Sequence, residues 1–220
     1  MLKEVVVVLS GMLLGYWLIE DFNPAELKGK RVFITGASTG IGEQLAYQFS
    51  KIGASVVITA RRENKLKEVT EQCRKTGSRE QVYDYVVADM TELDSIETVV
   101  EAAVQMLGDL DIIVLNHVFY LPLTFWTGSK QNLSSIKQVM TVNFESYIHL
   151  ASYALPHLDK SNGRITIVNS ICGKFAASLT ASYSEAKFAL DGFFSALRQE
   201  LMTHNSGISI TQCVLGYISK

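Results

Sequence analysis

After residue 30 the chain alternates between short, continuously apolar runs and longer stretches with helical spacing. The runs Arg31–Thr35, Ser55–Thr59, Val82–Ala88, Ile112–Asn116, Arg164–Asn169 and Ile208–Val214 predict strands. Apolar residues recurring every three or four positions predict helices near Ile41–Ile52, Glu63–Thr76, Leu93–Leu107, Ser134–Leu158 and Ser182–His204. A strand apolar at successive positions is buried on both faces, which happens where helices cover both sides of a parallel sheet. With right-handed crossovers, this alternation predicts a doubly wound α/β domain.

The first segment breaks that rhythm. Val5–Ile19 is an apolar stretch preceded by Lys3-Glu4 and followed by Glu20-Asp21. It is shorter than the roughly 18–20 residues that comfortably span a bilayer. Bulky Tyr16-Trp17-Leu18-Ile19 offers no small-residue cleavage pattern, so an uncleaved signal-anchor over residues 1–22 is expected in preference to a removed signal peptide and a secreted product. Lys3 favours a cytoplasmic N-terminus and hence a lumenal domain over residues 23–220. On that side Asn132-Leu133-Ser134 would be a glycosylation acceptor.

Composition narrows the options. The chain has 220 residues, enough for one substantial core but not comfortably for two. A net charge of −2 supplies no basic surface, so nucleic acid is not expected as a partner. Cys73, Cys172 and Cys213 have neither metal-ligand spacing nor an even-numbered disulfide pattern, and no metal site is expected. The residues alone give His117, His149, His157 and His204 structural roles.

Two motifs carry chemistry. Thr35-Gly36-Ala37-Ser38-Thr39-Gly40-Ile41-Gly42 lies directly between the first predicted strand and helix. Glycines at such a turn let backbone approach a pyrophosphate, whose charge is stabilised by N–H groups at the helix N-terminus. The spacing is Gly-x-x-x-Gly-x-Gly, and the fold it implies is Rossmann-type. Tyr183 and Lys187, four residues apart, share one face of the last predicted helix, and Ser170 ends the strand before it. An ammonium beside a phenol is expected to lower its pKa from about 10, making Tyr183 a usable general acid/base. Arg61 stands just past the second strand, where an acidic residue would select a ribose 2′-hydroxyl and an arginine a 2′-phosphate. It is expected to favour NADP(H), with Arg62 a solvated helix-start residue.

With these motifs in this order, the chain from about Leu27 onward resembles the short-chain dehydrogenase/reductase family. Leu115-Asn116-His117-Val118, the Tyr183–Phe194 segment and the apolar N-terminus are similar to the 11β-hydroxysteroid dehydrogenase type 1 group within it. The resemblance implies hydride transfer between a nicotinamide and a secondary alcohol or ketone, on a steroid or another lipophilic carbonyl such as a retinoid. Catalytic roles would fall to Ser170, Tyr183, Lys187 and Asn143, the last holding a water in a relay to Lys187; Ser170 and Tyr183 would meet substrate. The cofactor would lie against Gly36, Ser38, Thr39, Gly40, Ile41, Gly42, Arg61, Asp89, Met90, Asn116, His117, Tyr183 and Lys187. The resemblance also implies an endoplasmic-reticulum location and a homodimer formed through the two longest helices. Relatives have further elements after the sixth strand, so the domain is expected to be incomplete beyond Leu215–Lys220. A cofactor-binding protein without turnover is the non-enzymatic alternative.

Overall fold

Six strands form one parallel sheet in the order β3-β2-β1-β4-β5-β6. The computed structural model describes residues 23–120 and 123–218. The strands are β1 Arg31–Thr35, β2 Ser55–Ala60, β3 Tyr83–Val87, β4 Ile112–Leu115, β5 Arg164–Ser170 and β6 Ser209–Leu215. The helices are α1 Gly40–Ile52, α2 Glu63–Thr76, α3 Ile96–Leu107, α4 Lys130–Met140, α5 Ser146–Ser161 and α6 Ala181–Thr203. Each strand returns through helical chain, which is why neighbours run parallel. The doubly wound α/β prediction therefore holds.

The sheet is buried on both sides, as its continuous apolar runs require. Phe33, Val57, Ile113 and Ile165 pack with residues of α3, α5 and α6 on one face. Val32, Ile34, Val56, Ile58 and Val114 pack with residues of α1 and α2 on the other. Each such side chain, fully buried, contributes roughly 1.5–3 kcal/mol relative to exposure. A charged fork ties together the starts of the central strands β1 and β4: Arg31 donates from its backbone N and Nε to Asp111 Oδ2, at 2.9 and 2.7 Å. Burial alone would raise the Asp111 carboxyl pKa, but hydrogen bonds and charge from Arg31 outweigh it and hold the value below the usual one.

Three boundaries differ from the periodicity. The segment before β1, where no element is predicted, contains a 3₁₀ turn, Pro24–Leu27, capped by Asn23. The predicted Leu93–Leu107 helix starts with a 3₁₀ turn over Leu93–Ser95. The predicted Ser134–Leu158 helix begins earlier, at Lys130, because Ser129 Oγ accepts from the Asn132 amide. It is also interrupted by a π turn over Thr141–Glu145, so it is two helices. Asn132 lies in the first turn of α4, where its Oδ1 accepts from the Thr127 amide and hydroxyl.

Among the described residues no helix is long and apolar enough to cross a membrane. The Val5–Ile19 stretch lies outside them. Strand order reverses between β1 and β4, and there the helices that follow leave on opposite faces. A crevice opens at such a switch point, beyond the carboxyl ends of the strands.

Candidate active site

That crevice is a cleft of about 1030 Å³, lined at the carboxyl ends of all six strands and by the start of α6. The volume is at the upper end for small-molecule sites, with room for an extended ligand and a second molecule beside it.

The glycine turn forms its floor. Gly36 has φ +65 and Gly40 φ +69, a region that costs a side chain strain. A Cβ on Gly36 would stand 2.5 Å from His117 Cα, and one on Gly42 would stand 2.6 Å from Asn116 Nδ2. Asn116 explains the closeness: its amino group donates to Thr35 O and to Gly36 O, each at 3.1 Å. The Thr39 side chain accepts no hydrogen bond from the N–H groups of α1, so the first of these are available to an anion. Ser38, Thr39 and Ile41 line the cleft, while Gly40 and Gly42 shape the turn behind them. Gly36→Ala combines a left-handed φ with a backbone clash. It is expected to weaken nucleotide binding by at least about tenfold and to lower Tm, since such misfits cost a few kcal/mol; calorimetric titration and thermal melts check both.

His117 holds this floor from below. Its ring is buried, and burial pushes its pKa down to about 3, so the imidazole is neutral. Nε2 faces the Val142 carbonyl at 3.0 Å, which can only accept, so Nε2 carries the proton. Nδ1 lies 2.8 Å from the Thr35 hydroxyl, whose oxygen is also 3.2 Å from Val114 O. Thr35 Oγ1 also receives the Asn116 amide at 2.9 Å, tying β1 to β4. His117 thus lines the cleft and has partners, Thr35, Val142 and Ser146, that spacing along the chain did not reveal.

The fold brings Ser170, Tyr183 and Lys187 to the same wall. Asn169 positions them: its Oδ1 accepts from the Ser170 amide at 2.8 Å and its Nδ2 donates to Lys187 O at 3.3 Å. Gly173 lets the connecting turn lie against α6, where a Cβ would meet Lys187 O at 2.6 Å. Lys187 is buried; its Nζ donates to Val168 O at 2.9 Å and lies 5.5 and 5.8 Å from the ring centroids of Tyr147 and Tyr183.

The electrostatics correct the expectation drawn from the four-residue spacing. Burial raises the Tyr183 pKa above its ordinary value, and hydrogen bonding with Ser170 offsets this only in part. Burial also pushes the Lys187 ammonium down to about 8. The amine sits over the phenol ring and gives its hydrogen bond to a carbonyl, so desolvation dominates both groups. At neutral pH the free site therefore holds a protonated phenol beside an ammonium.

The adenosine-side candidates separate. Arg61 is exposed on the cleft rim, with no hydrogen bond or ion pair among the described residues. Arg62, expected to be merely solvated, instead donates from Nη2 to Ser38 Oγ and Thr39 Oγ1, both at 3.0 Å. Asp89 and Met90 line the cleft, and Asp89 Oδ1 also accepts from the Thr91 amide at 3.0 Å, capping the turn.

Asn143 does not line the cleft. It is fully buried in the π turn, and both arms of its amide engage Phe119: Oδ1 accepts from the amide at 2.6 Å and Nδ2 donates to the carbonyl at 2.9 Å. Sequence reasoning missed Tyr147, whose hydroxyl donates to His117 O and whose ring lies beneath the Lys187 ammonium. Its place four residues after Asn143 was the available signal. The opposite end of the cleft is apolar: Val118, Tyr120, Leu123, Phe125, Trp126 and Tyr217 surround the opening, Phe125 at 75% and Tyr217 at 96% exposure.

Residues 30–219 match the family model described as short chain dehydrogenase. The chain is 45% identical over 207 residues to the hydroxysteroid 11-beta-dehydrogenase 1-like protein of Gallus gallus, covering 94% of this chain and 70% of that one. It is 46% identical over 204 residues to the protein of the same name from Xenopus tropicalis, covering 93% and 70%. Among solved structures, a short chain dehydrogenase from Burkholderia cenocepacia J2315 in complex with NADP superposes with a TM-score of 0.76 at 25% identity, covering 84% of this chain and 73% of that one.

Proposed function

The chain belongs to the short-chain dehydrogenase family of nicotinamide-dependent oxidoreductases, and we propose that it reduces a ketone on a steroid or similarly lipophilic substrate with NADPH. The observation that carries this reading is one cleft holding Ser170, Tyr183 and Lys187 between a glycine turn and an apolar opening. The donor set fits a phosphorylated dinucleotide. Uncapped N–H groups of α1 suit the pyrophosphate, and Arg61 suits a 2′-phosphate. The solved relative that holds NADP and the similarity to hydroxysteroid 11-beta-dehydrogenase 1-like proteins support the same choice.

Bound NADPH would supply a hydride to the carbonyl carbon. Tyr183 gives its proton to the carbonyl oxygen, and Ser170 donates a hydrogen bond to that oxygen as negative charge develops on it. Lys187 stabilises the tyrosine oxygen as its proton leaves and holds the ribose end of the cofactor. With its pKa raised by burial, the Tyr183 phenol is protonated at neutral pH, so the free site holds the proton that reduction needs. The exposed aromatic and aliphatic side chains at the mouth suit a rigid apolar substrate, whose burial would supply binding free energy. The Asn143 π turn, a geometry frequent at functional sites, would support a water relay towards Lys187. Pairing across α5 and α6 would give a homodimer.

We place the domain on the lumenal face of the endoplasmic reticulum, anchored by Val5–Ile19, on the strength of that run and of Lys3. One experiment tests the whole reading. The full chain is expressed in cells, membranes are washed at alkaline pH, and NADPH oxidation is followed in the retained fraction with cortisone and with an aromatic aldehyde. Steroid-dependent oxidation in the membrane pellet is the expected result. Aldehyde turnover alone would move the substrate to general carbonyls, cofactor uptake without turnover would remove the enzymatic reading, and release by the wash would remove the anchor.

A further inference from the structure

We infer that Tyr147 is a positioning residue for the reaction: the face of its ring, held beneath the Lys187 side chain, is the uncharged counter-group that keeps this amine protonated in a dry site. This rests on the role given to Lys187 in the proposed reduction, and it adds a residue that does not itself line the cleft.

Three observations carry it. First, Lys187 Nζ lies over the Tyr147 ring, 5.5 Å from its centroid, within the roughly 6 Å at which a ring quadrupole attracts a cation. Second, the ring is fixed there. Tyr147 is fully buried in α5, its hydroxyl donates to His117 O, and its ring centroid stands 4.4 Å from that of the His117 imidazole, tilted by 41°. Burial drives both the phenol and the imidazole to their neutral forms, so neither brings a charge of its own. Third, the amine has no counter-ion. Among the described residues its Nζ donates to Val168 O at 2.9 Å and makes no ion pair. Asp191, one turn further along α6, is taken by Lys174 at 2.7 Å. The titratable groups on this side are Tyr183 on the same helix, Cys172 from the turn after β5, Tyr147 from α5 and His117 from the end of β4, and none is a carboxylate. Lys130 and Lys137 of α4 and Glu145 of the π turn are exposed. Cys213 of β6 alternates away from Gln212, whose side chain is the one that meets α6.

A buried ammonium has lost its hydration, and one carbonyl replaces only part of it, since the group has three N–H donors. An aromatic face supplies attraction without a negative charge. That distinction matters here. A carboxylate in the same place would hold the amine and also repel the charge that develops on the Tyr183 oxygen as its proton leaves. The Tyr183 ring lies near the amine as well, at 5.8 Å, but it belongs to the group that changes charge. The Tyr147 face stays constant through the reaction. The neutrality of His117 serves the same end, because an imidazolium packed on that ring would compete for it.

The test uses two substitutions in the full chain: Tyr147→Phe keeps the ring and removes the hydroxyl, whereas Tyr147→Leu removes both. Two readouts follow the Lys187 proton. Urea unfolding at successive pH values reports it without turnover, because stability rises with pH wherever the unfolded chain binds more protons. The alkaline limb of kcat/KM for carbonyl reduction reports it in the working enzyme. In Tyr147→Leu the rise in stability should begin, and kcat/KM should decline, about one pH unit lower than in the wild type, the shift for losing a desolvated cation–π contact. Tyr147→Phe should melt lower, since His117 O loses its donor, yet keep both limbs within about 0.3 pH unit of the wild type. Fluorinated phenylalanines incorporated at position 147 keep the shape of the ring while draining its face, so they give the same answer if Tyr147→Leu does not fold. Each added fluorine should move the limbs further down. Limbs that stay at the wild-type pH in Tyr147→Leu, or through the fluorine series, would overturn the inference. So would a shift in Tyr147→Phe as large as that in Tyr147→Leu, since the hydroxyl would then be the active part. If the stability onset moves as expected but the wild type reduces no carbonyl, the hold of the ring on the charge stands and the proposed reduction falls.

Discussion

Tyr183→Phe is expected to lower carbonyl reduction by about 10²–10⁴-fold, the usual worth of a positioned general acid, while NADPH affinity stays within about twofold. Only one oxygen is removed. The phenyl ring keeps its place beside the Lys187 ammonium, which lies 5.8 Å from the ring centroid, and the glycine turn is untouched. What disappears is the proton donor that a raised pKa keeps charged with its proton at neutral pH. Single-turnover absorbance of NADPH separates chemistry from binding, and fluorescence titration gives the affinity. Turnover retained near the wild-type rate would mean that another group protonates the oxygen, and no other group in the cleft wall is placed as Tyr183 is.

Lys187→Met is expected to damage catalysis and strengthen the fold at once. Removing a cation aimed at developing negative charge costs about 10²–10³ in rate. The stability change has the opposite sign. Burial lowers the Lys187 pKa from 10.5 to about 8, so between those values the unfolded chain holds a proton that the folded chain does not. Stability therefore falls as pH drops through that window and stays on the lower plateau below it. At pH 7 the buried ammonium costs on the order of 3 kcal/mol. Methionine removes that cost but leaves Val168 O without its partner at 2.9 Å, which returns roughly 1–2 kcal/mol. The net gain is a rise in Tm of a few degrees for the unliganded protein. The wild-type kcat/KM for reduction should also decline above about pH 8 as the ammonium loses its proton, and the Met variant should lack that limb. A variant that melts lower, or that keeps the limb, would show that the lysine is not a buried cation in the working enzyme.

These predictions differ in how far the chain foreshadowed them. Apolar runs located all six strands, most plainly the central β1, β2 and β4, because a parallel strand covered on both faces must be apolar on both. The glycine turn and the four-residue spacing of Tyr183 and Lys187 were equally visible, since both are local relations that backbone geometry imposes. The break at Asn143 was not. A helix-period pattern runs straight through Thr141–Glu145, and the π turn follows from Asn143 reaching across to Phe119 in another segment. Nor could spacing show which of two adjacent arginines would turn inward, because the hydroxyls that capture Arg62 belong to Ser38 and Thr39.

The sign of the tyrosine shift belongs to the same class. Two side chains on one helical face were bound to be neighbours, and this much the sequence determined, together with the sheet, its covering helices and the turn that can take a pyrophosphate. Whether proximity or burial governs the phenol depends on how much water the surrounding wall removes and on where the ammonium spends its hydrogen bond, here on Val168. Those are properties of β5, α4 and the π turn packed against α6, so only the tertiary structure decided them. Local order follows from neighbours along the chain, whereas dielectric surroundings follow from neighbours in space.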